Sequence, residues 1–162
     1  MRTIKITARQ ARLLRDNLTG NREGYDYVDL LKLDKLAKEL TVLQGSYAER
    51  MAELAREERR ARKQFIKAES PASKDEADRQ LALITFEVQD LHEAAETAPV
   101  ELKVTEAEWK LISDKLEGVE RWTGADDLRA SVIGLVEAVR NAESDEAAED
   151  EPADKVTKIK RR

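Results

Sequence analysis

Ile4 and Ile6 flank Lys5 in an apolar–polar–apolar alternation that predicts a short strand near the start of the chain. The period then changes. Ala11, Leu14 and Leu18 recur at helix spacing, and Thr7 stands three residues before Gln10. That pair is a capping box: the hydroxyl and the returning side chain satisfy two backbone N–H groups at a helix start. Gly20 follows, a residue able to take the left-handed conformation that ends helices.

The same succession returns 98 residues later. Residues 4–20 laid over residues 102–118 give six identities and five conservative matches in 17 positions. Identity at that level is thin, but the physical pattern repeats with it. Leu102 and Val104 alternate as a strand, Thr105 and Glu108 form a capping box, Trp109, Ile112 and Leu116 keep helix spacing, and Gly118 closes the stretch. A loop with aromatics follows each glycine: Tyr25 and Tyr27 in the first copy, Trp122 in the second. A second helix then starts near Asp26–Asp29 and Asp126–Asp127, where acids suit the positive helix end. Its apolar positions are Leu33, Leu36 and Leu40 in one copy and Val132, Leu135 and Val139 in the other. We read two strand–helix–helix units whose strands, too short to stand alone, are expected to pair; no pairing direction follows from the sequence.

Between the units the pattern predicts a long helical hairpin. Leu36, Leu40, Leu43, Tyr47, Met51, Leu54, Glu58, Ala61 and Phe65 step by three and four, with two consecutive fours around Tyr47. Gly45 sits beside that stutter and costs about 1 kcal/mol inside a helix, so a bend or weak point is expected there in a helix of about 50 Å. Pro71 and the pair Ser73 and Glu76 predict the next helix start. Ala77, Leu81, Ile84, Val88, Leu91 and Ala95 then form a heptad series ending before Pro99. Two such helices joined by a short turn pack antiparallel. The return arm reads about a dozen residues shorter than the outgoing one. Leu83 and Phe86 lie off the heptad seam, either as core against the repeat units or as a contact for another subunit.

The predicted fold is therefore mainly α. A long antiparallel, coiled-coil-like hairpin (34–98) is inserted between unit 1 (1–33) and unit 2 (99–141), with a flexible charged tail (142–162). The tail is acidic over residues 142–153, with six acids and no base, and basic over 154–162. It holds too little apolar surface to offset ordering.

Composition fits narrow apolar stripes. Charged residues make up 39% and aromatics 4%, which suits long helices with wide solvated faces. Cysteine is absent, which excludes disulfides and thiolate chemistry. No apolar leader or membrane-length apolar run is read, and a cytoplasmic or virion location is expected.

Candidate chemistry is sparse. His92, the single histidine, is expected on a solvated helix face, since zinc or triad partners are missing. No phosphate loop, dinucleotide fingerprint or nucleophile elbow occurs, so no catalytic residue, metal ligand or cofactor is assigned and an enzyme is not expected. The basic cluster Arg56, Arg59, Arg60, Arg62, Lys63 and Lys67 has two readings. It is a phosphate-binding hairpin tip, or a solvated helix end whose cations favour the C-terminal dipole and pair with Glu57 and Glu58. In the tail, Lys155, Val156, Lys158, Ile159, Lys160, Arg161 and Arg162 form a docking segment able to add to a sheet edge or meet an acidic surface, or a solubilising end. Trp109 is read as a core anchor, and Trp122 as a loop residue of the same kind.

The run Ile4, Lys5, Ile6, Thr7, Ala8, Arg9 and Gln10, with Leu13, Leu14 and Leu18, then a charged hairpin and a charged tail, resembles small accessory proteins encoded among tailed-bacteriophage virion genes. That resemblance implies a non-enzymatic structural or assembly role through protein partners. A second likeness is to phage small terminase subunits, with Thr7 to Gln10 and the hairpin in similar places, which implies nucleic-acid binding during packaging. The sequence departs from that pattern in its leading strand and in the head repeated after the hairpin, so no functional residue carries over. Inhibition of a host system is a third expectation.

Overall fold

A computed structural model describes residues 1–119 and 126–144 of the chain, without the side chains of 126, 127, 143 and 144. The elements run β1 (Arg2–Thr7), α1 (Ala8–Thr19), α2 (Tyr27–Gln44), α3 (Ser46–Lys67), α4 (Pro71–Thr97), β2 (Pro99–Val104), α5 (Glu106–Leu116), α6 (Asp126–Arg140) and β3 (Glu143–Ser144). The fold is mainly helical, with a hairpin set between two strand–helix–helix units, as the periodicities predict.

The strands of the two units pair with each other, and they do so antiparallel. Ile4 faces Leu102, the very residue over which the sequence repeat lays it. Arg2 faces Val104, the counterpart of Ile6, and Ile6 faces Val100, the counterpart of Arg2. A register of that kind relates the units by an approximate two-fold axis through the Ile4–Leu102 pair. The two-residue β3 adds antiparallel to the other edge of β1, giving the order β2-β1-β3.

Both capping boxes of the repeat are formed. Thr7 Oγ1 accepts from the Gln10 N–H while Gln10 Oε1 accepts from the Thr7 N–H, and Thr105 and Glu108 do the same in the second unit. Each of these third-position side chains then reaches across to the other unit. The Gln10 amide donates to the Ser131 carbonyl on α6 at 3.3 Å, and Lys35 on α2 donates to Glu108 at 3.1 Å. One cap residue thus starts its own helix and fastens the opposite module. Ile4, Leu14, Leu18, Leu36, Leu102, Ile112 and Leu135 close a single core between the sheet and α1, α2, α5 and α6.

Several details differ from expectation. The outgoing helix does not merely bend at Gly45 but stops there: α2 ends at Gln44 and α3 begins at Ser46, with Gly45 at φ 56 and ψ −135. That conformation is essentially restricted to glycine. Residues 34–44 therefore belong to α2, which packs on α1, and the paired arms are α3 and the longer α4. The helix after the turn starts one turn earlier than Ser73 and Glu76 imply. Ser70 is the cap, its hydroxyl accepting from the Ser73 N–H, and Pro71 follows at the first helical position, where its missing N–H costs nothing. Helix α1 ends at Gly20 with a negative φ, whereas α5 ends at Glu117 and the left-handed Gly118 comes one residue later.

Candidate docking surface on the hairpin

The root of the hairpin is fixed before its tip is reached. Tyr47 and Met51 of α3 pack with Ala8 and Ala95 in a second small cluster, with Val88, Leu91, Ala98 and Val100 against it. His92 is not a solvated surface residue. It is half-buried, and its Nδ1 lies 2.8 Å from the Tyr47 hydroxyl because the heptad seam brings α4 onto α3. Burial pushes the Tyr47 phenol up from its ordinary pKa. Buried Arg9 of α1 donates to Glu96 near the end of α4, and the Ser131 hydroxyl donates to the same carboxylate at 3.1 Å. Three elements meet there, and the sequence separation of Arg9 and Glu96 left no local signal for it.

Further out, α3 and α4 close a narrow seam. Leu54, Ala61 and Ala77 are buried, Leu81 and Ile84 half-buried, and Phe65 is 37% exposed. Arg50 bridges the helices to Glu87 at 2.6 Å. Hydrogen bonding to the guanidinium holds the Glu87 carboxyl below the ordinary carboxylate range.

All six cations of the predicted basic cluster are exposed on α3. Arg62 pairs with Glu58 at 2.7 Å, and Arg56 and Arg59 donate to the carbonyls of Ala52 and Ala55 on their own helix. Arg60, Lys63 and Lys67 make no ion pair among the described residues. They rim a wide depression of about 850 Å³ toward the turn, with Glu69, Ser73 and Glu76 opposite. A smaller groove of about 320 Å³ continues down the same face, lined by Glu57, Arg60 and Gln64 of α3 and by Gln80, Leu83 and Glu87 of α4.

Leu83 and Phe86 settle one open alternative. They do not pack on the repeat units; they are 63% and 66% exposed, one turn apart on α4. Other large apolar side chains in solvent are Met1, Ile66 at the tip, Val42 on α2 and Ile133 on α6, together with a neighbouring group, Tyr27, Val28 and Leu31, at the start of α2.

Trp109 is half-buried against the core. Its indole N–H donates to the Val139 carbonyl at 2.8 Å and Arg2 stacks on its ring at 4.1 Å, so its free face is covered. Trp122 and the tail residues Lys155, Val156, Lys158, Ile159, Lys160, Arg161 and Arg162 lie outside the described residues. Among the described residues no group of three or more His, Cys, Asp or Glu side chains is placed to hold a metal ion, and no helix is long and apolar enough to cross a membrane.

The geometry defines a mainly helical chain in which a two-fold body carries a projecting hairpin. No protein family, curated protein or solved structure matches it.

Proposed function

We propose that this chain is a non-enzymatic structural or assembly protein that works through protein–protein contacts of its hairpin, with the charged tail as a further contact. The observation that carries the reading is the exposed pair Leu83 and Phe86 on α4, the first of them lining the α3–α4 groove, on a hairpin whose own seam is closed without them. Adjacent large apolar side chains left in water mark a surface that gains by being covered. The resemblance to tailed-phage accessory proteins supports a role in a virion or its assembly, in a bacterial cytoplasm or in the particle.

Photo-cross-linking in the source cell tests this. A photoreactive amino acid at position 86 is expected to give discrete protein adducts, whereas the same group at Lys103 in the body gives none. Absence of any discrete protein adduct from position 86 overturns the reading.

A second reading, a packaging factor that binds nucleic acid, draws on Arg60, Lys63 and Lys67, which make no ion pair among the described residues. It requires DNA affinity that falls steeply with salt, because cations meeting phosphates release counterions. That affinity must vanish when Arg59, Arg60, Arg62 and Lys63 are all changed to Ala.

A further inference from the structure

The two helices of the hairpin carry opposite charge. Helix α3 holds seven basic and four acidic side chains, while α4 holds seven acidic and two basic ones. The apolar patch belongs to the acidic helix, and one groove has Leu83 on its α4 side and Arg60 on its α3 side. That groove has Glu57 and Arg60 on its α3 side and Leu83 and Glu87 on its α4 side, so one face presents both signs beside an apolar side chain.

A partner of one sign matches only half of that face. A nucleic acid suits α3 and is repelled by the carboxylates of α4; a basic peptide suits α4 and is repelled by α3. A surface that carries both signs and turns through a two-fold rotation is complementary to itself. From this charge pattern we infer that the occupant of the Leu83–Phe86 face is a second copy of this chain. A two-fold axis running along the hairpin lays α3 of each copy antiparallel on α4 of the other, with both tips pointing the same way. Leu83 of each chain packs into the shared face with Phe86 at its rim, and Arg60, Lys63 and Lys67 of each chain face the acids of its partner's α4. The result is an antiparallel four-helix arrangement, the ordinary way for two helical hairpins to bury a shared apolar face. The inference rests on the proposed docking role of the hairpin and names its partner.

Light scattering and sedimentation of the full chain test it. The expected species at micromolar concentration has twice the mass of the 18.4 kDa chain. Raising salt from ~0.1 M to ~1 M shortens the screening length from about 10 Å to about 3 Å and is expected to weaken it. Leu83→Glu with Phe86→Glu is expected to return single chains of unchanged far-ultraviolet dichroism. The milder Leu83→Ala with Phe86→Ala, which introduces no charge, is expected to raise the dimer dissociation constant by more than about tenfold. Arg60→Glu weakens association at low salt and has little effect at high salt.

A single-chain mass at every concentration and salt overturns the inference, as does a dimer indifferent to both double substitutions, whose interface must then lie elsewhere. Single chains that still give adducts with a different protein from position 86 overturn the inference while leaving the docking role standing. Absence of any adduct together with single-chain mass overturns both.

Discussion

In the body, Ile4, Leu14, Leu18 and Ile112 are fully buried, covered on every side by a sheet and four helices. Along the outer hairpin no buried side chain is larger than Leu54, the seam closes on Ala61 and Ala77, and Leu83 and Phe86 stand in water. The polar contacts differ in the same way. In the body some join distant segments, Arg2 to Glu106, Arg9 to Glu96 and Lys35 to Glu108, beside local pairs such as Arg15 to Asp16 and Lys32 to Asp29. Beyond the Arg50–Glu87 bridge the hairpin's ion pairs join residues of one helix, Arg62 to Glu58 and Arg79 to Glu76. A closed core specifies a shape, whereas a two-helix layer has an outer side that nothing in its own hairpin covers. The body holds the larger closed core, and the hairpin leaves Leu83 and Phe86 in solvent.

The largest expected contrast is between core and hairpin truncations. Leu14→Ala is expected to lower stability by about 3 kcal/mol through lost burial and a residual cavity. Phe86→Ala is expected to change it by less than about 0.5 kcal/mol. Urea denaturation at low chain concentration, where association contributes little, measures both. Equal losses at the two sites erase the distinction.

The joint between the regions gives the next effect. A Cβ on Gly45 meets no atom within 4 Å, so Gly45→Ala tests backbone conformation alone. At φ 56 and ψ −135 the substitution is expected to cost about 1–2 kcal/mol. An unchanged or increased urea midpoint means that α2 and α3 run as one helix without the break.

The smallest effect separates the two halves of the body. Burial alone would push the Glu108 carboxyl up, but the Thr105 N–H and hydroxyl and the Lys35 ammonium outweigh it and hold the pKa below the ordinary value. A carboxyl depressed by folding contributes stability above its unfolded pKa of about 4.3, and that contribution is lost as pH falls through the folded pKa. Glu108→Gln keeps the cap, as Gln10 does in the other unit, and removes the charge. The variant is expected to lose less of its urea midpoint between about pH 5 and about pH 3 than the parent. Parallel profiles break the account.

Much of the fold was readable because it is local. The alternation around Ile4 and Leu102, the capping boxes at Thr7 and Thr105 and the heptads of α4 each lie within a few residues of chain, where period and hydrogen-bonding reach decide the outcome. Ser70 and Ser73 both satisfy the local capping rule, and only the position of Pro71 in the formed helix separates them. The candidate site was half legible. The exposed row of cations follows from helix spacing, but whether Leu83 and Phe86 meet the repeat units depends on where Gly45 aims the hairpin. The Tyr47–His92 contact and the Arg9–Glu96 clasp bring together residues from distant segments, so no window along the chain reveals them.

By itself the sequence determined the two modules, the hairpin between them, their caps and the uneven charge of α3 and α4. Each depends on spacings shorter than about two helical turns. Only the tertiary structure decided the antiparallel pairing, the two-fold relation through Ile4 and Leu102, the break at Gly45 and the solvent-facing position of Leu83 and Phe86. Those depend on how separate elements pack, and side chains far apart in the chain set that packing when they compete for one core.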